Sequence, residues 1–324
     1  MDHNLLLTLL MENEYVSGEA ISRRLGVTRA AVWKAIENLR KQGYEIESAK
    51  KRGYRLVPPE DAVWPSCIRK LLSTRWTGSH IEYHSVIDST NFRARALGLE
   101  DAPHGTLIIA DEQTAGRGRM ARSWTAEPGS SLLMSLLLRP QALAPMNATG
   151  IVLIAALAAC MACRDEGADV KIKWPNDLVA GGKKICGMLL DMNADMDRVH
   201  YAVVGVGVNI SAYPWADDLR HAFCLMEACG HEVSRAKVAA RFLTCFEMLY
   251  DRWSAEGIAS LLPDYRKLSI TLGSRVRVIS LTGTFEAVAM DILEDGALLV
   301  QTDTGERVPV HAGDVSVRGV MDYV

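Results

Sequence analysis

Apolar positions along the chain keep three different rhythms. Over the first sixty residues the period is helical: Leu5 to Met11 forms one run, and Val32, Ile36 and Leu39 recur at a spacing of three to four, which lines one face of a helix. Ser17 and Thr28 stand where a side-chain oxygen caps exposed amides. The spacing therefore predicts one helix from Ser17 to Leu25 and another from Thr28, with Gly26 as the turn and Gly43 as the stop. Tyr44 to Ile46 and Lys50 to Leu56 predict a hairpin, and Pro58-Pro59-Glu60-Asp61 a linker. Strand-like and helix-like stretches then alternate. Ile81–Ile87, Gly105–Ala110, Ser131–Arg139, Val170–Trp174, Lys184–Met192 and Val199–Ile210 read as strands. Ser89-Thr90-Asn91 opens a helix with Ser89 as its cap, and Ile151 to Glu166 reads as a buried helix. From about Thr271 the period shortens to two. Strands are predicted at Arg275–Ile279, Phe285–Ile292, Ala297–Gln301, Val308–Val310 and Val315–Arg318, with Asp295-Gly296 and Thr304-Gly305 as turns. The fold class expected is α+β: a helical head over 1–60, a mixed-sheet α/β core over 61–270 and a small β domain over 271–324.

Composition narrows this to a globular protein. Of 324 residues 49% are hydrophobic and the formal net charge is −3, which excludes a disordered or strongly basic chain. No charged segment followed by a signal-peptide core opens the sequence, and the most apolar run, Ile151 to Cys163, is shorter than the roughly 20 residues of a membrane helix. Seven scattered cysteines point to reduced thiols in the cytoplasm; Cys160 and Cys163 make a C-x-x-C on the buried helix, with no second pair to form a metal site.

Charge is unevenly placed. Residues 20–57 carry ten Lys or Arg against three Glu, a local +7. Helix, glycine turn, helix and a basic-tipped hairpin is the winged helix-turn-helix pattern, and localised positive charge suits a phosphate backbone. The second helix of such a motif meets base edges with its N-terminal residues, here Thr28, Arg29, Ala30, Trp33 and Lys34; Lys50, Lys51 and Arg52 form the wing tip. A head this small suggests a two-fold dimer on paired half-sites.

The densest chemistry lies in Gln113-Thr114-Ala115-Gly116-Arg117-Gly118-Arg119-Met120-Ala121-Arg122-Ser123-Trp124. Glycines let a backbone approach a ligand, consecutive amides cradle anions, and guanidiniums keep their charge at physiological pH. Four more motifs fall at the ends of predicted elements: Asp88-Ser89-Thr90-Asn91, Lys173-Trp174-Pro175-Asn176-Asp177, Lys184-Ile185-Cys186-Gly187 and Gly205-Val206-Gly207-Val208-Asn209. Each alone has a structural explanation as a cap or turn; five together suit an anion-handling site.

These motifs, in this order and spacing, resemble the biotin–protein ligases of the bifunctional bacterial type, which also repress the biotin operon. The resemblance covers nearly the whole chain and implies a winged helix-turn-helix head, a ligase core and an SH3-like barrel at the C-terminus. It implies ATP with Mg2+, and biotin, as substrates. Biotin would lie against Ser89, Thr90, Asn91, Gln113, Gly116, Arg117, Gly118, Arg119, Lys184 and Gly187. Arg122, Trp124, Lys173, Asn176 and Asn209 would hold the nucleotide, and Lys184, Asp177, Arg119 and Arg122 would act in catalysis, with Asp177 serving magnesium or proton transfer. The partners implied are the biotin carboxyl carrier protein of acetyl-CoA carboxylase, operator DNA, and a second copy of the chain once adenylate is bound, with no membrane.

The chain departs from the family pattern at three places. Met120-Ala121 stands where many relatives have Arg-Gly, Cys186 where alanine is usual, and Asp191 where glutamate is common. Three alternatives stay open: a lipoate–protein ligase, a regulator whose ligase-like core only senses a metabolite, and a ligase whose head does not bind its own operator.

Overall fold

Ser17 and Thr28 cap their helices as the spacing predicts, their hydroxyls accepting from the amides of Ala20 (3.0 Å) and Ala31 (3.2 Å). The computed structural model describes residues 3–212, 222–280, 283–311 and 316–319. The chain divides into two units, Met1–Leu71 and Leu72–Val324.

In the first unit, α1 (His3–Glu12), α2 (Gly18–Leu25) and α3 (Arg29–Lys41) bury Leu6, Leu10, Ile21, Val32, Ile36 and Leu39 in one core. Gly26 closes α2 in the left-handed conformation (φ +64°) that glycine takes without penalty. The wing is an antiparallel pair, β1 (Ile46–Ala49) and β2 (Gly53–Leu56). It starts at Ile46 rather than Tyr44. The unit also continues past the proline pair: Val63, Trp64 and Ile68 are buried, α4 (Pro65–Arg69) packs on α1, and the Arg69 guanidinium donates to the Glu12 carbonyl at 2.8 Å. Pro58-Pro59 is thus a bend inside the head, because the apolar Ala62–Trp64 stretch brings the chain back to the core.

The second unit is built on a seven-stranded sheet. Its strands are β3 (Ile81–Ile87), β4 (Thr106–Gln113), β5 (Ser131–Leu138), β6 (Lys171–Lys173), β7 (Asp177–Ala180), β8 (Lys183–Ala194) and β9 (Val199–Asn209), ordered β3-β4-β5-β9-β8-β7-β6. Only β3 and β4 run parallel; the other neighbours are antiparallel. Between β3 and β4 the helix α5 (Thr90–Leu99) packs on one face, where Ala94 and Leu97 meet Ile108, Leu137, Tyr201 and Val203. Alternation turns Leu107, Ile109 and Val204 to the other side. Helix α6 (Thr149–Asp165) contacts β6 through β9 and the long helix that follows, and twelve of its seventeen residues are buried, which explains its apolar composition.

After β9 come α7 (Leu225–Cys229), α8 (Arg235–Glu256) and α9 (Leu262–Leu268), a region for which the sequence reading gave no elements. Buried Glu247 of α8 accepts the amides of Arg75, Trp76 and Thr77 at 2.7–2.9 Å, pinning the helix to the segment before β3. Two other differences matter for the site. Strand β4 runs on to Gln113, since its pairing with β3 continues to Ile87↔Gln113. The four-residue strand β7 was missed because it is too short to show a period.

The tail forms β10 (Arg275–Ser280), β11 (Gly283–Ile292), β12 (Leu298–Thr302), β13 (Arg307–Val310) and β14 (Ser316–Gly319), an antiparallel sheet ordered β13-β12-β11-β10-β14. Val315, expected to open the last strand, lies outside the described residues. Trp174 ties this sheet to the core: its amide donates to Thr271 Oγ1 (2.9 Å) and its indole Nε1 to the Gly296 carbonyl (3.1 Å).

Candidate active site

The strand register gathers the motifs. Across the sheet, Leu133 pairs with Gly207, Gly207 with Gly187, Gly187 with Asp177 and Asp177 with Lys173. Two glycines at the centre of this row leave a floor without side chains. A Cβ on Gly207 would meet the Trp124 indole at 2.7 Å, and one on Gly187 would meet Lys184 Nζ at 2.8 Å and Trp124 at 3.0 Å. Trp124 therefore lies across both glycines, and its Nε1 is buried without a hydrogen-bond partner among the described residues.

At the edge of this floor the Lys184 ammonium stands 2.7 Å from Asp177 Oδ1 and 5.5 Å from the Trp124 ring. Neighbouring Cys186 is turned away and fully buried, and burial pushes its thiol far up, so it is a filler and not a reactive group. Burial likewise pushes Cys160 up to about 12 and Cys163 well up, in keeping with the core reading of that C-x-x-C.

The Gly-Arg segment is a narrow hairpin. Ala115 donates to the Asp88 carbonyl (2.8 Å), Trp124 to the Gly116 carbonyl (2.9 Å) and Gly118 to the Arg122 carbonyl (2.8 Å), with Arg117 bridged to Ser123. Gly116 is required by space: a Cβ there would press on the Trp124 carbonyl (2.5 Å) and Gln113 (2.9 Å). Met120 at the tip takes φ +54°, a left-handed conformation for a non-glycine residue. Arg119 folds inward, its guanidinium donating to Asn176 Oδ1 at 3.0 Å; burial lowers its pKa, with Asp177 opposing and Arg122 adding to the shift. Arg122 is exposed, and Arg117 stacks 4.7 Å above Phe92.

Beside the glycine floor is a buried polar nest. Ser89, Thr90 and Asn91 are nearly inaccessible. Ser89 occupies the helix cap position, yet its side chain makes no cap bond; Gln113 Oε1 takes that part, accepting the Thr90 amide at 2.8 Å and the Thr90 hydroxyl at 2.9 Å. The expected capping serine is thus replaced by a glutamine from the neighbouring strand. Ser135 of β5, which the sequence reading missed, contacts Thr90 Oγ1 (2.7 Å) and Asn91 Oδ1 (2.6 Å), and Asn91 Nδ2 donates to Asp191 (3.0 Å). A hydroxyl inside the leucine-rich run Ser131–Leu138 was the available signal.

Some candidates are occupied with holding the site together. Asn176 Nδ2 donates to the Met188 carbonyl (2.7 Å) and Asn209 Nδ2 to the Phe223 carbonyl (3.1 Å), and Lys173 is buried. Among the described residues no three His, Cys, Asp or Glu side chains group as a metal site. On the head, Thr28, Arg29, Ala30, Trp33 and Lys34 are all exposed at the start of α3, and Trp33 is 59% accessible. Lys50 and Lys51 are exposed at the wing tip, whereas Arg52 lies 3.9 Å over the Tyr15 ring and 3.8 Å from Glu14.

Sequence comparison agrees with this layout. Residues 83–209 match the biotin/lipoate A/B protein ligase family, residues 3–55 an HTH domain and residues 271–318 the biotin protein ligase C-terminal domain. The chain is 39% identical over 310 residues to the bifunctional ligase/repressor BirA of Bacillus subtilis, covering 94% of each. It is 34% identical to the biotin–[acetyl-CoA-carboxylase] ligase of Mycobacterium tuberculosis, over 68% of this chain and 82% of that protein. The fold matches the biotin protein ligase of Aquifex aeolicus solved with biotin and ATP, with a TM-score of 0.65 and 24% identity over 74% of this chain and 99% of that one.

Proposed function

The chain belongs to the biotin–protein ligases, in the form that carries an N-terminal helix-turn-helix, and from that premise we propose how its residues divide the work. The reaction joins biotin to a carrier-protein lysine at the expense of ATP. The observation that supports the assignment most is Lys184 and Arg119 beside a glycine floor that adjoins the Ser89–Thr90–Gln113 nest.

In the first step a biotin carboxylate oxygen attacks the α-phosphorus of ATP, the bond to the bridging oxygen breaks, and pyrophosphate leaves. Two anions must meet, and charge builds on the phosphoryl oxygens. Donors aimed at such charge are each worth about 3–4 kcal/mol when removed singly. Lys184 is placed to bridge both anions, with Arg119 and Arg122 on the phosphates. Biotin's ureido ring fits the nest of Ser89, Thr90 and Gln113, with Asn91 beneath, and the backbone of Gly116, Arg117 and Gly118 beside it; Gly187 lets β8 lie close. Trp124 moves from the floor to face the adenine. Lys173, Asn176 and Asn209 act from beneath as a frame for the nucleotide. Magnesium would come with ATP, held mainly by its phosphates as is usual for this ion, and would offset phosphate charge; Asp177 is the carboxylate that would hold it.

In the second step the carrier lysine's nitrogen bonds to the acyl carbon, the acyl–phosphate bond breaks, and AMP leaves. A lysine of pKa about 10.4 is only roughly one part in 2500 neutral at pH 7, a handicap of about 4.6 kcal/mol. Asp177, already neighbour to an ammonium at 2.7 Å, is placed to take the proton.

The acceptor is the biotin carboxyl carrier protein of acetyl-CoA carboxylase. The head acts on operator DNA through α3 and the wing, with Lys50 and Lys51 on phosphates, and adenylate favours a homodimer. These partners place the protein in the cytoplasm. Incubation with MgATP, biotin and a carrier domain, read by AMP release and the mass of a lysine-linked product, tests the ligase assignment. Lipoate handled in place of biotin would reject it.

A further inference from the structure

We propose that Ser135 is a positioning residue that sets the hydrogen-bond polarity of the biotin nest, making it accept a ligand N–H. The inference rests on the biotin reading above. Gln113 Oε1 faces the Thr90 amide, and Asn91 Nδ2 faces the Asp191 carboxylate, so both amide orientations are fixed by their partners. Asn91 Oδ1 and Gln113 Oε1 are then pure acceptors. Between them stand two hydroxyls, giving three oxygen–oxygen contacts: Gln113–Thr90 at 2.9 Å, Thr90–Ser135 at 2.7 Å and Ser135–Asn91 at 2.6 Å. Two hydroxyl hydrogens serve three contacts, and the row is one hydrogen short.

A ligand N–H set against both Gln113 Oε1 and Thr90 Oγ1 supplies the missing hydrogen. Gln113 then accepts the Thr90 amide and shares the ligand N–H with Thr90 Oγ1, the Thr90 hydroxyl turns to Ser135, and Ser135 donates to Asn91. A ligand offering an acceptor leaves the deficit in place. Ser135 is fully buried, so no water substitutes for it, and a Cβ on Gly205, its partner across the β5–β9 pair, would collide with Asn91. The small pair Ser135–Gly205 thus seats Asn91 and polarises Thr90 together. The ligand selected is a cyclic urea with free N–H groups.

Calorimetric binding of biotin and steady-state kinetics on the full chain test this. Ser135→Ala should raise the Kd for biotin about tenfold, the worth of one hydrogen bond, with the KM for ATP and the melting temperature nearly unchanged. Added to Thr90→Val, the same substitution should weaken biotin binding less than twofold further, because the row is already cut; a purely structural serine gives additive losses. Wild-type affinity in folded Ser135→Ala, equal losses toward biotin and ATP, or additivity in the double variant would overturn the proposal. Should Ser135→Ala not fold, Ser135→Cys, of similar size and a weak donor, is judged by the same criteria. A wild-type protein that does not bind biotin removes the ligand reading as well, whereas a neutral Ser135→Ala removes only the relay.

Discussion

Lys184 and Asp177 show how much two side chains decide. Their 2.7 Å pair sets side by side the two groups the proposed steps require, an ammonium for the meeting of two anions and a carboxylate for the proton an amine must lose. Lys184→Ala is expected to lower ATP–pyrophosphate exchange at least about 100-fold, the worth of one such donor, with the melting curve little changed; near-normal exchange would remove Lys184 from the first step. For Asp177→Ala the expected loss is in single-turnover transfer from preformed adenylate, by about 100-fold. An unchanged transfer rate would reject Asp177 as the base. At this scale the residue types were legible in sequence, but their pairing was not. Nor was Ser135, since a lone serine in a leucine-rich strand shows its partners only when β4, β5 and α5 pack together.

The element expected to set timing is the Gly-Arg hairpin. Its ladder from Ala115 to Trp124 carries Arg119 inward, and the tip residue Met120 sits at φ +54°, ψ +41°. A left-handed conformation costs a side-chain-bearing residue roughly 1–2 kcal/mol. Met120→Gly should therefore favour the closed hairpin and slow release of biotinyl-adenylate by about fivefold, measured by stopped-flow displacement. Faster release would show that glycine's added freedom in the open loop outweighs the relieved strain. The sequence placed the loop after Ala110; the structure moves its start past Gln113, because parallel pairing with β3 holds the strand three residues longer. That shift turns Gln113 from a loop residue into a fixed wall of the buried polar nest.

For the molecule as a whole, a DNA-binding head and a ligase share one chain, and ligand occupancy is expected to reach the DNA through self-association. In sedimentation, biotinyl-adenylate should shift the protein from monomer toward dimer; equal association with and without it would break that link. The local +7 of the head overstates its free charge. Arg23, Arg24, Arg40, Arg52 and Arg55 all face carboxylates, while Arg29, Lys34, Lys41, Lys50 and Lys51 make no ion pair among the described residues and are exposed. Lys50→Ala and Lys51→Ala should each reduce the slope of log K against log salt by about one. Arg52→Ala should leave that slope nearly intact and act through wing stability instead. A full unit of slope lost with Arg52 would return it to the DNA interface.

Local sequence determined the helix caps of the head, the strand alternation, the motifs and hence the family, because caps, period and motif spacing are properties of neighbouring residues. Tertiary structure decided the rest. It brought Gly187, Gly207, Asp177 and Lys173 into one cross-strand row and gave Gln113 the capping duty expected of Ser89. It also made Trp174 the tie to the C-terminal sheet rather than part of the cleft. Such pairings depend on strand order, which residues far apart in sequence settle only when the sheet closes and buries its apolar face.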